Sequence, residues 1–412
     1  MSKKNIIVGL DIGTTKVCTL IASCDQNGET EIIGIGNHAS SGLKKGTVIN
    51  IDKTVNSIRS SLNEARLMAG VEVNSASVGI AGNHIYSFNS SGVVAIRGEE
   101  VDEEDVERVL EAAKAVVIPS DREVLHVIPQ EYRVDNTTEI KNPVGMCGTR
   151  LEVRVHIVTG SSSRISNLLK SIDAVGINTS SVTLQPIASS EAVLSSEEKD
   201  TGVVLIDIGG GTTDIAVWKG GSLVHTQVIP VGGNHFTNDL AVALKVSHGE
   251  AERIKVQHGC VLAEKLNQSA HITIQGMVGT KEREVQLGMI AEVLGARAEE
   301  LFTTVAEIVE QRGLLDDLTG GYILTGGGAL ISGLTELGEY VLTKPTKIGY
   351  PMPFGGMTNL MQNPKFSTAL GLLATSTLNE AIYLNDEKRS HDQGDLIRKL
   401  GDSLRSAFQE IF

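Results

Sequence analysis

At 412 residues, with 41% hydrophobic and 21% charged side chains, the chain is long enough for two soluble domains and too apolar to be disordered. A net charge of -14, with no Lys/Arg cluster carrying interleaved aromatics, disfavours nucleic acid as a partner. Four cysteines without a CxxC pair or Cys/His ligand spacing disfavour a disulfide framework and a structural metal centre. No stretch reaches the roughly 20 apolar residues that span a bilayer. The apolar run behind the basic N-terminus is interrupted at Asp11, too early for a signal-peptide core. The expectation is a cytoplasmic protein whose membrane contact, if any, is peripheral.

In chain order, residues 8–22 read VGLDIGTTKVCTLIA: an apolar run ends in Asp-Ile-Gly, turns through Gly and Thr, and re-enters an apolar run, the pattern of a hairpin. Residues 31–38 form a third strand, and residues 52–68 carry Val55, Ile58, Leu62 and Ala65 at helical spacing. Residues 101–117 then make a charged amphipathic helix, followed by strand-like 123–134 and 151–160, so that about 84–161 reads as a small α+β insert. Residues 204–218, VLIDIGGGTTDIAVW, repeat the first hairpin 196 positions on, and 224–235 supply another third strand that ends, like the first, in Gly-Asn-His. Helical 233–246 follows. A second satellite rich in Glu and Lys covers about 241–300, with a strand pair at 271–276 and 282–286.

The chemistry sits in the turns. Asp11-Ile12-Gly13-Thr14-Thr15-Lys16 offers backbone N–H groups, hydroxyls and an ammonium to a phosphate chain, while Asp11 suits a hydrated Mg²⁺. The second copy, Asp207-Ile208-Gly209-Gly210-Gly211-Thr212-Thr213-Asp214, is more telling, because three consecutive glycines weaken a strand end unless something approaches the backbone. A third cluster, Gly326-Gly327-Gly328, lies between a short strand and a helix, where backbone can pack on a base or ribose. Neither GxGxxG nor GxxxxGK spacing is present, which disfavours the dinucleotide and P-loop folds.

These elements resemble the two phosphate motifs and the adenosine motif of the actin, hexokinase and chaperone ATPase superfamily. More narrowly, GLDIGTTK, VDEEDVERVLEAA, VLIDIGGGTTDIAVW, VGGNHFTNDLA, AERIK and ILTGGGALISGL, in that order, resemble the FtsA family of bacterial cell-division proteins, from about residue 5 to the end. The resemblance implies an α/β, actin-like two-domain fold with a cleft for ATP and Mg²⁺. It divides the chain into a first domain (1–83, 162–200, 346–384), the insert 84–161, a second domain (201–240, 301–345) with its satellite 241–300, and a linker 385–394. It also implies self-association, tethering of the tubulin-like protein FtsZ to the cytoplasmic face of the membrane at the division site, and contact with other division proteins. Carried over, Gly13 to Lys16 and Gly209 to Thr213 hold phosphates, and Asp214, Gly232 and Gly233 also belong to the cofactor site. Glu252, Lys255 and Gly326 to Gly328 frame the nucleoside, and Asp11 and Asp207 hold the metal. A pair such as Glu252 and Lys255 is equally a surface i,i+3 pair. Gln185, in LQPIAS, is the one candidate to position an attacking water, and equally a helix-entry residue before Pro186, so ATPase activity is expected to be weak or absent.

Residues 385–394 are polar and charged, a tether by composition. On a helix over 395–412, at about 100° per residue, Leu396, Ile397, Leu400, Leu404, Phe408, Ile411 and Phe412 fall within roughly 160°, with every charge on the other side. That pattern reads as a membrane-binding helix with balanced charge. Two alternatives share the nucleotide site: a small-molecule kinase, for which no acceptor base can be singled out, and a pilus-assembly or rod-shape actin homologue, which the tail and the insert disfavour.

Overall fold

The computed structural model describes residues 5–25, 29–267, 270–276, 282–356 and 362–377. β1 (Asn5–Ile12) and β2 (Lys16–Cys24) make the first hairpin, and β3 (Thr30–Ala39) adds antiparallel to it. A short ribbon, β4 (Leu43–Lys44) and β5 (Thr47–Val48), precedes α1 (Ile51–Ala69). The Asn50 side chain caps α1 by accepting from Lys53 N, and Gly70 ends it in the left-handed region at φ 65°. β6 (Ser75–Ile80) runs parallel to β1.

The chain then builds a separate four-stranded sheet from β7 (Tyr86–Ala95), β8 (Arg122–Val134), β9 (Thr137–Ile140) and β10 (Arg150–Ser161), ordered β7-β10-β8-β9. Across it lies α2 (Glu103–Lys114), started by a capping box between Asp102 and Asp105. Val109 and Ala113 of this helix close a core with Val127, Val153 and Val155 that is distinct from the rest of the molecule. α3 (Ser162–Asp173) and β11 (Asn178–Leu184) return to the first sheet, and α4 (Gln185–Val193) and α5 (Ser196–Thr201) lead away from it.

The second half repeats the first. β12 (Val203–Ile208), β13 (Thr213–Lys219) and β14 (Ser222–Ile229) are followed by α6 (Gly233–Leu244) and α7 (His248–His258). The hairpin β15 (His271–Ile274) and β16 (Arg283–Gln286) leads into α8 (Leu287–Gln311). Then come β17 (Tyr322–Thr325), a 3-10 turn at Gly327–Leu330, α9 (Leu334–Leu342) and β18 (Thr346–Ile348), and residues 367–377 are helical. The two main sheets, β3-β2-β1-β6-β11 and β14-β13-β12-β17-β18, correspond strand for strand. The repeat in the sequence is a repeat of topology. One shared detail is coincidental: Gly36-Asn37-His38 lies inside β3, whereas the expected strand over 224–235 stops at Ile229, and Gly233-Asn234-His235 opens α6.

β12 is buried on both faces, as a central strand must be when helices cover both sides. Val203 and Leu205 point into the core shared with the first sheet, while Val204, Ile206 and Ile208 point into a second core with Phe236, Leu240, Leu301 and Phe302. The halves are joined where α4 packs on β12 and β13 and the helix at 367–377 packs on β1. The two helices cross so closely that a Cβ on Gly371 would overlap the carbonyl oxygen of Ala188.

The insert belongs to the first half by chain order, yet it also grips the second. Ser87 Oγ donates to Thr226 O at 2.7 Å, Gln130 Nε2 to Leu223 O at 3.1 Å and Asn89 Nδ2 to Val224 O at 3.4 Å, so side chains of the inserted sheet reach carbonyls of β14. Beneath them His156 bridges Asn89 (2.7 Å) and Thr226 Oγ1 (2.9 Å). Burial holds His156 neutral, its pKa lowered to about 3, and does the same for neighbouring His225, at about 4.

The apposition of β3 and α1 depends on one absent side chain: a Cβ on Gly36 would collide with the Ser61 carbonyl, a backbone atom that cannot rotate away. Gly36→Ala is expected to destabilise the protein by about 1 to 3 kcal/mol, read as a lower urea midpoint, whereas Gly70→Ala, with open space around it, costs only its strained φ.

Candidate functional site

The strand ends that carry Asp11 and Asp207 face each other across a cleft with a cavity of about 440 Å³, within the usual range for a small-molecule site. Two matched turns wall it. In the first, Gly13 N donates to Lys16 O at 2.9 Å; in the second, Gly209 N donates to Thr212 O, also at 2.9 Å. Each bond closes a tight turn and leaves the amides of Thr14, Thr15, Gly210 and Gly211 without an intramolecular acceptor among the described residues. The turns meet tip to tip: a Cβ on Gly210 would collide with the Thr15 side chain, and one on Gly211 would come within 2.6 Å of Thr14 Oγ1. These glycines are needed for the approach of two loops and not merely for room beside a ligand.

Behind the second turn, Gly232 packs on the Thr212 backbone, and Gly233 N and Asn234 N donate to Gly209 O and Gly210 O, both at 2.8 Å. The opening of α6 therefore braces the glycine turn with its first amides instead of offering them to a ligand. Gly326, at φ 83°, and Gly328 let the third cluster close onto the end of β12, since a Cβ on either would collide with Asp207 or Ile208. Val256, Gly259, Leu330, Ile331 and Pro364 also line the cavity and make part of its wall apolar.

Of the residues expected at the site, Asp11, Gly13 to Lys16, Gln185, Asp207, Gly209 to Thr212, Asp214, Gly233, Glu252, Lys255 and Gly326 to Gly328 line this cavity. Thr213 does not: it is fully buried and its hydroxyl donates to Val231 O at 2.8 Å. Gly232 stands one layer back. Leu396, Ile397, Leu400, Leu404, Phe408, Ile411 and Phe412 lie outside the described residues.

The carboxylates differ sharply in their surroundings. Asp11 is engaged on both oxygens, by Lys16 Nζ at 2.8 Å and Gln185 Nε2 at 3.1 Å. Asp207 Oδ2 accepts from Ser189 Oγ at 2.5 Å and Thr368 Oγ1 at 3.3 Å, yet burial still raises its pKa. Asp214 faces Asp207 in cross-strand register; its Oδ1 is buried without a partner among the described residues, and burial together with the Asp207 charge raises its pKa well above the usual value. Burial opposes the charge on Lys16, but Asp11 outweighs it and raises the ammonium pKa. Glu252 pairs with Lys255 at 2.8 Å and accepts from Thr237, which outweighs its partial burial and lowers its pKa. The i,i+3 surface pair and the cavity wall are one and the same feature.

Sequence reasoning passed over Ser189 and Thr368, whose hydroxyls hold Asp207, and Lys365 at the cavity edge. Ser189 stands in the same LQPIAS segment as Gln185, one helical turn on.

For a divalent ion the donor set is selective. Among the described residues no group of three or more His, Cys, Asp or Glu side chains is placed to hold a metal, which argues against a dehydrated protein cage. Two desolvated carboxylates, one with an orphan oxygen, suit instead a hydrated Mg²⁺ brought in with phosphates.

This architecture is shared by a PilM-PilN type IV pilus biogenesis complex (TM-score 0.65, 15% identity, covering 90% of this chain and 98% of that one). It is also shared by MreB5 of Spiroplasma citri bound to ADP (TM-score 0.57, 16% identity, covering 93% and 98%). The fold is that of the actin-like ATPases, with an inserted α+β sheet. Within that class the sequence is specific. A family model described as "Cell division protein FtsA" matches residues 204–371, and one described as "SHS2 domain inserted in FTSA" matches 82–159. The chain is 44% identical over 408 residues to the cell division protein FtsA of Borreliella burgdorferi, covering 98% of each. It is 44% identical over 368 residues to that of Pseudomonas aeruginosa, covering 89% of this chain and 88% of that one. It belongs to the FtsA family of cell-division proteins.

Two outcomes test the site. Because the raised Asp214 carboxyl keeps a proton in the folded chain that the unfolded chain releases above its ordinary 3.8, stability falls as pH rises through that window. Asp214→Asn removes this titration, so its stability advantage in ligand-free urea denaturation should widen as pH is raised above the ordinary value of 3.8. Gly210→Val, by forcing the two turns apart, should lower affinity for phosphate-bearing ligands by about 100-fold or more, measured by calorimetry on protein whose circular dichroism is unchanged.

Proposed function

We propose that the protein binds ATP with Mg²⁺ in this cleft, self-associates under nucleotide control, and tethers FtsZ filaments to the cytoplasmic face of the membrane at the division site, together with other division proteins. The observation that carries the reading is the meeting of two matched glycine turns between Asp11 and Asp207 in a chain of this family. On this reading the turns of Gly13 to Lys16 and Gly209 to Thr212 receive the phosphates, the apolar side chains of Val256, Leu330 and Ile331 receive the base, and Asp11, Asp207 and Asp214 receive the hydrated ion. Mg²⁺ would neutralise phosphate charge there. With its nitrogen held by Asp11, Gln185 retains Oε1 as the acceptor that could position a water, in keeping with slow hydrolysis. The division into two actin-like domains, an insert over 84–161 and a satellite over 241–300 belongs to the same proposal.

Membrane attachment is assigned to residues 395–412 on their sequence pattern: apolar side chains at helical spacing, with three cations balanced by three acids. Among the described residues no helix is long and apolar enough to cross a membrane. A charge-balanced segment gains its affinity from apolar burial, and a row of such segments on an assembled polymer multiplies weak single contacts.

Vesicle flotation tests this. The protein should float with phospholipid vesicles more completely when ATP is present, and raising salt should release it far less than does the pair Leu404→Glu and Phe408→Glu. That double variant should lose about tenfold or more of its vesicle binding while keeping ATP affinity. Undiminished flotation of the double variant would remove the anchor from the proposal.

A further inference from the structure

Three ammonium groups line the cleft, and two of them are already spoken for. Lys16 is paired with Asp11 at 2.8 Å and Lys255 with Glu252 at 2.8 Å. Against these stand four carboxylates, Asp11, Asp207, Asp214 and Glu252. Taken alone, the walls carry no excess of positive charge with which to receive a polyphosphate, and Lys16, the cation expected from the sequence to offset phosphate, is neutralised within its own turn.

The third ammonium is that of Lys365. Among the described residues it has no carboxylate partner, and its recorded contact is the Phe366 ring, 4.9 Å from Nζ to the centroid. Lys16 Nζ lies 5.7 Å from the same ring, so the ammonium of the first glycine turn and that of Lys365 share one buried aromatic.

Its backbone is fixed from several directions. Lys365 N donates to Asn363 Oδ1 at 3.1 Å, and Ser367 Oγ donates to Pro364 O at 2.9 Å. Ser367 also bonds Thr325 at the end of β17 (2.6 Å), and Thr368 bonds Asp207 at the end of β12. On the facing wall Gly327 leaves space for it: a Cβ there would meet only the Lys365 Cβ, at 3.8 Å. Lys365 is itself exposed, but it does not sit on a loose loop. It is carried on a backbone pinned to both central strands of the second sheet, with its charge uncompensated beside the cavity.

We infer that Lys365 is the positioning residue that supplies the uncompensated positive charge for the phosphate chain of a nucleoside di- or triphosphate, a role that rests on the nucleotide reading above. The charge balance explains why it is needed. With Lys16 and Lys255 internally neutralised, each added phosphate brings negative charge that the ion and Lys365 must meet. The benefit grows with the number of phosphates and is absent for the nucleoside.

The test is calorimetric titration of the full-length protein and of Lys365→Gln with adenosine, AMP, ADP and ATP, in Mg²⁺ and at two salt concentrations. Lys365→Gln should weaken ATP and ADP by about 3- to 30-fold, leave adenosine within about twofold, and show a shallower salt dependence for ATP. Lys365→Arg should restore most of the loss, and the melting temperature without ligand should be the same in all three proteins. An equal loss for adenosine and ATP would mark a structural role and overturn the assignment, as would unchanged ATP affinity in Lys365→Gln. If the unsubstituted protein binds none of the four ligands, the nucleotide reading itself falls, and the role of Lys365 with it.

Discussion

Much of this molecule hangs on the crossing of two helices at a single missing side chain, Gly371 against the carbonyl of Ala188. Near that crossing α4 delivers Gln185 to Asp11 and, one turn later, Ser189 to Asp207, while the helix at 367–377 delivers Thr368 to the same aspartate. The two acidic strand ends are thus held by side chains whose spacing is set by helix geometry and by how closely the helices approach. Any change that separates the helices must move the donors of both aspartates together, since one rigid contact positions them. Closure of the cleft and placement of its carboxylates are parts of one packing problem.

The electrostatics of the cleft follow from the same geometry. Buried carboxylates are tolerated because hydroxyls and amides reach them, but Asp207 and Asp214 face each other across adjacent strands, and the hydroxyls offered do not cancel their desolvation. Asp214 therefore keeps its proton in the ligand-free state, a cost that a bound cation would relieve. The two turns that line the same cavity, meanwhile, carry amides that are unpaired among the described residues. Desolvated carboxyls and unsatisfied donors are costs in the free molecule that a ligand carrying both a cation and anionic oxygens removes.

The repeat, the hairpins and the helices of both halves were legible because each rests on a local signal: Asp-Ile-Gly turns, alternation in β-branched runs, 3.6-residue periodicity in α1 and α2. Asp11, Asp207 and the glycine turns announced themselves because glycine in such runs has little other purpose. The misreadings have equally physical causes. Gly-Asn-His recurs in both halves, but three residues do not fix a backbone state, and helix packing captured the second copy. Thr213 looked like a phosphate ligand by adjacency, yet alternation along β13 turns it away from the cavity. Lys365, Ser189 and Thr368 carry no motif; their place in the site is created by chain segments about 180 to 350 residues from Asp11 folding back onto it, which no local pattern encodes. Glu252 and Lys255 looked ambiguous and are, since one ion pair both stiffens a helix and walls the cavity.

The grip of the insert on β14 has an effect beyond joining the halves. An edge strand normally presents a row of bare carbonyls and amides, an invitation for another chain to extend the sheet. Here the outward carbonyls of Leu223, Val224 and Thr226 are occupied by Gln130, Asn89 and Ser87, and the opposite edge, β18, is only three residues long. The second sheet is blunted at both margins. Crowded copies of this protein thus find no long bare edge on this sheet to extend, which disfavours the irreversible strand exchange of aggregation.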